Sequence, residues 1–175
     1  MNCQVIKYNA IVLLGITFFT TCTIYKNVDK IGVTKPLPKE NFISNPFGYE
    51  ASIKNFTAHL PSSYKLQVYT TKNKFYPKMV DSIFRFYHKK TELFIYKTYS
   101  KRELFVGGNI YDSRITLQNG IKVAINRDDF FKCFNDLKHN TLDTIRMVSK
   151  HAGTSYNFVF KHDKLKAIKI DNNID

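Results

Sequence analysis

The sequence predicts an α+β domain in which a mainly antiparallel β-sheet of about six to eight strands is packed by one helix, at about residues 126–138. Three observations lead there. From Tyr64 onward apolar and polar residues alternate with the period of a strand. Only one later stretch repeats its apolar residues at helical spacing. The apolar content is carried by 15 Phe and 11 Tyr with no Trp, and aromatic rings favour half-buried strands.

The chain of 175 residues divides into three parts. Residues 1–21 read as a signal peptide. Lys7 supplies a short basic start, and residues 10–19 (Ala-Ile-Val-Leu-Leu-Gly-Ile-Thr-Phe-Phe) form an uncharged, mostly apolar run of the right length. That run falls short of the ~20 apolar residues that a transmembrane helix needs. Residues 22–60 read as a tether and a loosely ordered lead-in, punctuated by Pro36, Pro38 and Pro46, with 35–39 (Lys-Pro-Leu-Pro-Lys) extended. Within it Asn55-Phe56-Thr57 matches an N-glycosylation acceptor. Residues 61–175 read as a single β-rich domain.

The leader ends in Phe19-Thr20-Thr21-Cys22, which resembles the lipobox of Bacteroidetes-type small cell-envelope lipoproteins. Phe19 stands where those proteins prefer Leu, and Thr21 where they prefer Gly, Ala or Ser. The resemblance implies that Cys22 is a lipid-attachment site and the N-terminus of the mature chain. It also implies a place on a membrane of a Gram-negative envelope, the outer membrane or facing the periplasm. Each buried CH₂ contributes about 0.8 kcal/mol, so two or three acyl chains hold a protein on a bilayer for a long time. An ordinary signal peptide and an uncleaved anchor are the alternative readings of the same apolar run.

Strand patterns follow. Leu66 and Val68 alternate with Lys65 and Gln67, and Val80, Ser82, Phe84 and Phe86 alternate with Asp81, Ile83, Arg85 and Tyr87. Residues 92–99, 103–110 and 113–118 continue in strand-like composition, with Gly107-Gly108 near a strand end. Asn119-Gly120, between the triplets 115–117 and 121–123, predicts a type I′ hairpin, because both central positions of that turn need positive φ. In the one predicted helix, Asn126 is the N-cap, and Asp128 and Asp129 face the positive end of the helix dipole. Phe130, Phe131, Phe134 and Leu137 form its buried face. Three strands close the chain at 144–149, 156–161 and 165–170, the last two joined by His162-Asp163-Lys164.

The C-terminal half carries a second resemblance. Gly120-Ile121-Lys122-Val123, Asn126-Arg127-Asp128-Asp129-Phe130, Tyr156-Asn157-Phe158-Val159-Phe160 and Leu165-Lys166-Ala167-Ile168 resemble small outer-membrane assembly lipoproteins. In those a strand leads to a capped helix, and an aromatic hairpin closes the sheet. The family usually has Gly where Ala124 stands, and two helices where this sequence predicts one. The matching residues are packing residues, so the resemblance implies a related fold and carries no function.

Charge and chemistry narrow the function classes. The 27 Lys and Arg against 14 Asp and Glu give a net charge of +13, and such a field attracts any polyanion. The lysines are spread along the chain in the manner of a solvated surface, and nucleic acid is not an expected partner of an exported protein. His59, His88, His139, His151 and His162 are scattered, with no His-x-x-x-His or Cys-x-x-Cys spacing, so no metal or cofactor is expected. Asp128-Asp129 is explained by capping, and no Gly-x-Ser-x-Gly elbow exists. Cys133, in mid-helix between Phe131 and Phe134, reads as an inert core thiol. Lysines interleaved with aromatics at 84–90 and 96–99 fit either a stacking surface or a core with a solvated face. No catalytic residue stands out.

Two readings of function result. The preferred one is an exported, lipid-anchored envelope protein, a non-enzymatic binding or structural module whose partner is an envelope protein or an anionic polymer. The alternative is a small periplasmic or surface hydrolase or ligand-binding protein, with a site assembled from distant strands.

Overall fold

A computed structural model describes residues 35–150 and 153–172. The expected signal peptide (1–21), Cys22 and the first part of the expected tether lie outside the described residues. Seven strands form one sheet: β1 Lys65–Lys72, β2 Val80–His88, β3 Thr91–Lys97, β4 Glu103–Ile110, β5 Thr144–Val148, β6 Thr154–Lys161 and β7 Lys164–Asn172. Their order is β1-β2-β3-β4-β7-β6-β5, and every pairing is antiparallel. Two meanders therefore meet at β4 and β7, where Gly108 pairs with Ile170 and Ile110 with Ile168. The antiparallel, mostly β architecture that the alternation predicts is present.

Alternation sorts the side chains between the two faces. Phe86, Leu93, Ile95, Tyr156, Phe158, Ile168 and Ile170 point inward and are buried. Two glycines allow the meanders to close. A Cβ on Gly107 would lie 2.2 Å from the Ile170 carbonyl oxygen, and one on Gly108 would lie 2.2 Å from that of Glu92. Their φ values of +134° and +153° also belong to glycine. The pair thus sits inside β4, beside a register shift at Phe94/Ile95, and not at a strand end.

The helical layer differs from the expected single helix. Three short helices are described: α1 Lys39–Ser44, α2 Ile53–His59 and α3 Arg127–Lys132. The first two fall in the stretch read as a tether and loosely ordered lead-in. Pro38 opens α1 at a position where a missing N–H costs nothing, and the Ser52 hydroxyl caps α2 by accepting from the Asn55 N–H at 3.2 Å. Both are held by what they bury. Phe42 and Phe56 are each 0% exposed. Phe42 packs on Tyr156 and Phe158, and Phe56 on Phe86 and Phe105. Asn55 and Thr57 lie within α2, so the glycosylation match falls on a helix packed to the sheet.

The helix expected at about 126–138 stops at Lys132. Backbone pairing with the N-terminal side of the domain ends it: Leu37 N–H donates to the Cys133 carbonyl at 3.1 Å, and Asn135 N–H to the Leu37 carbonyl at 3.3 Å. Phe130, Phe131 and Phe134 are buried as expected, the last beyond the helix. Asn126 occupies the N-cap position, but its side chain makes no capping bond. Arg127 takes over the anchoring. Its buried guanidinium donates to Asp163 Oδ1 at 2.9 Å and to the Leu142 carbonyl at 2.6 Å, and stacks 4.5 Å from the Phe160 ring.

Asn119 and Gly120 adopt the predicted positive φ, 56° and 76°. The flanking triplets nevertheless form no hairpin, and the strand expected at 113–118 is absent. Ile115, Leu117 and Ile121 are buried in the core, and the Gln118 N–H is drawn to the Pro46 carbonyl at 2.7 Å. The final turn does follow the primed geometry, with φ of 50° at His162 and 54° at Asp163.

Candidate functional site

All three helices pack on one face of the sheet, and their covering reaches Phe86 on β2 through Phe56. It stops short of β1. All eight residues of that edge strand are exposed, including Leu66, Val68 and Tyr69. On the opposite face, Ile83, Phe94, Tyr96, Leu104 and Val106 stand outward from β2, β3 and β4. Together with Tyr69 and Phe75 they line an open, mostly apolar hollow of about 660 Å³. Outward apolar side chains of this density on an antiparallel sheet are the kind of patch that marks an interaction site.

One end of the hollow is a structured corner. Asp81, 0% exposed, is its centre. Its carboxylate accepts from Asn73 Nδ2 at 2.7 Å, from the Tyr99 N–H at 2.7 Å and from the Tyr96 hydroxyl. The Tyr96 hydroxyl beside it holds Asp81 below the usual carboxylate range, and the same bond pushes the Tyr96 phenol up. Asn73 Oδ1 in turn accepts from the N–H groups of Phe75 and Tyr76, at 2.9 and 2.8 Å, an Asx turn that fixes the connection from β1 to β2. The Asn73 N–H donates to the Met79 carbonyl at 3.0 Å and closes its base.

What this scaffold presents is apolar and cationic. Phe75 is 75% exposed, Tyr76 58% and Val80 56%. Tyr76 leans edge-on against Tyr99 from the neighbouring turn, 5.7 Å between ring centres. Lys72, Lys74, Lys78, Lys101 and Arg102 are exposed around them and form no ion pair among the described residues. The nearest acids are occupied: Asp81 as described, and Glu103 by Lys97 at 3.1 Å and the Ile53 N–H at 2.9 Å.

The sequence candidates are distributed elsewhere. Cys22 and His151 lie outside the described residues. Cys133 is buried, its thiol donating to the Asp129 carbonyl at 3.2 Å, and burial pushes its pKa up to about 11. His59 stacks on Tyr49 at 4.4 Å, and His88 rests near Tyr64. His139 meets Asp128 at 3.0 Å on an open surface, with both side chains at least half exposed. No group of three metal-ligating side chains occurs among the described residues. The interleaved stretch 84–90 is split by the sheet, with Phe84 and Phe86 on one face and Arg85 and Tyr87 on the other. Arg85 ties to Glu92 at 2.9 Å and lies over Tyr87.

Sequence reasoning passed over Asn73, Phe75, Tyr76 and the structural role of Asp81. The available signal was local: Lys72-Asn73-Lys74-Phe75-Tyr76-Pro77-Lys78 joins turn chemistry, two aromatics and three lysines without an acid.

Compared with known proteins, the chain matches no family model, no curated protein and no solved structure. No helix among the described residues is long and apolar enough to cross a membrane.

Proposed function

We propose that this chain is an exported cell-envelope protein, lipid-anchored through Cys22, that works as a non-enzymatic binding module. The binding element in this reading is the outward face of β1–β4 with its cationic corner. The observation that carries it is the apolar hollow of about 660 Å³ bordered by Phe75, at 75% the most exposed large apolar side chain among the described residues. The Phe19-Thr20-Thr21-Cys22 ending of the apolar run supports the anchor.

Two measurements test the two halves. Metabolic labelling with a fatty-acid probe is expected to mark the wild type and not Cys22→Ala; equal labelling of both removes the anchor. A neutral apolar fluorophore, N-phenyl-1-naphthylamine, is expected to light up on the full chain, with Leu104→Glu lowering the signal by placing a charge in the hollow. Equal signals from wild type and Leu104→Glu remove the binding face.

A further inference from the structure

We infer that the corner built on Asp81 docks the domain onto an anionic bilayer surface, with Phe75 and Tyr76 entering the headgroup region and the surrounding cations meeting lipid phosphates. This deepens the binding reading above and rests on it.

Free energy favours removing apolar rings from water, and Phe75 is three-quarters exposed although the Asx turn at Asn73 holds its backbone in place. Tyr76, Met79 and Val80 extend the same apolar tip. An apolar tip ringed by Lys72, Lys74, Lys78, Lys101 and Arg102 matches a bilayer interface in both respects. Apolar rings settle at the boundary of headgroups and acyl chains, and lysines reach back to the phosphates.

Other occupants fit less well. A second copy would meet the same cations, and in-register antiparallel pairing of two β1 edges sets Lys65 opposite Lys72 at both ends. An acidic polymer would engage the cations but leave Phe75 and Val80 in water. The ordered scaffold matters as well: with Asn73, Tyr96 and the Tyr99 backbone all bonded to one buried carboxylate, the tip is presented without an ordering cost at contact.

The test uses the full chain, so that the N-terminal segment is common to every sample and only a local reporter is read. The protein contains no Trp, which makes Phe75→Trp the sole tryptophan, excited at a wavelength that tyrosine does not absorb. Leu142→Trp, at a residue 64% exposed just before the far edge strand β5, is the control. On vesicles containing phosphatidylglycerol, Trp at 75 should shift to the blue and be quenched by brominated lipid, while Trp at 142 should not. On phosphatidylcholine alone the shift should be small. Adding Lys74→Gln and Lys78→Gln should lower the docked-to-undocked ratio roughly thirtyfold, about fivefold per cation, and ~1 M salt should act in the same direction.

Three outcomes overturn the inference: a tip reporter that stays in water on phosphatidylglycerol, one indifferent to lipid charge and to the lysine changes, or one that shifts equally with dextran sulfate and no lipid. If the reporter stays wet while the fluorophore still occupies the hollow, only the docking inference falls. If Leu104→Glu also leaves the fluorophore signal unchanged, the binding-face reading falls with it.

Discussion

Phe56 and Phe75 are the same residue type, yet their truncation should have very different effects on stability. Phe56 is 0% exposed, and its ring meets Phe47, Phe86 and Phe105 edge-on at 5.0, 5.5 and 5.8 Å between centres. Phe56→Ala removes the ring from the junction between α2 and strands β2 and β4, leaving a cavity that rigid neighbours close only in part. Such truncations cost about 3–5 kcal/mol, a figure that already contains the loss of the ring–ring contacts. Against a domain stability of roughly 5–15 kcal/mol, that is a large share. Phe75→Ala removes a ring that is 75% exposed and should change stability by no more than about 0.5 kcal/mol. Urea unfolding of the full chain, followed by circular dichroism, separates the two. With an m-value of roughly 2 kcal/mol/M, the midpoint should fall by about 2 M for Phe56→Ala and stay in place for Phe75→Ala. Equal losses, or a loss below about 1 kcal/mol at Phe56, would refute the placement of α2 in the core.

Two further substitutions probe the sheet junction and its electrostatics. Gly108→Ala places a Cβ 2.2 Å from the Glu92 carbonyl oxygen and 2.8 Å from Leu93 Cα, at φ +153°, so β3 and β4 must part; a loss of at least about 3 kcal/mol is expected in urea unfolding, and a loss under about 1 kcal/mol would contradict the described register. Asp112, whose side chain is 12% exposed, accepts from Arg114 at 2.6 Å and from the Tyr64 hydroxyl at 3.1 Å. The Arg114 hydrogen bond, the largest influence, holds its pKa down at about 2. A depressed carboxylate contributes stability above its unfolded pKa of about 3.9, and that contribution is lost as pH falls towards about 2. Because Arg114 is half exposed, screening limits the effect to ~1 kcal/mol. Asp112→Asn should therefore destabilise by that amount at pH 7, and the gap to wild type should close between about pH 4 and pH 2; a gap independent of pH would show that packing, and not charge, holds Asp112.

The strands were legible because their chemistry is periodic. Alternation at 156–161 places Tyr156, Phe158 and Phe160 on the buried face, with Phe86 of β2 and Leu165, Ile168 and Ile170 of β7 buried beside them, and a one-residue slip of β6 would reverse its set. Aromatics in non-periodic surroundings were not legible. Phe42, Phe47 and Phe56 lie among prolines, asparagines and a glycine, where local pattern favours a loose tether, and only long-range contact with Tyr156, Phe86 and Phe105 makes them core. The opposite misreading occurred at Asn119-Gly120. Its backbone conformation was predicted by local preference, but a hairpin also needs its flanks to pair, and the Pro46 carbonyl claimed the Gln118 N–H instead. Local rules specify dihedral angles; partners come from the rest of the chain.

The same distinction explains why the candidate site was hard to see. Asp81 sits in the alternating run as one more polar residue of a half-solvated strand, and nothing local marks it as buried. Its role depends on Tyr96 and Tyr99 arriving from β3 and the turn beyond, and on Asn73 arriving from the end of β1. A carboxylate so enclosed is stable as a charge only while all three donors remain, which couples the β1–β2 connection to the turn after β3. Asp81→Asn tests that coupling directly. The amide can no longer accept from all three donors in the same way, and the Asx turn that fixes Phe75 loses its brace. Amide hydrogen exchange should then speed up at Phe75, Tyr76 and Tyr99 together, while Leu93 and Ile168 in the sheet core stay protected. Acceleration confined to one of the two segments would mean that the aromatic tip and the turn are held separately, and the corner would lose its standing as one preformed surface.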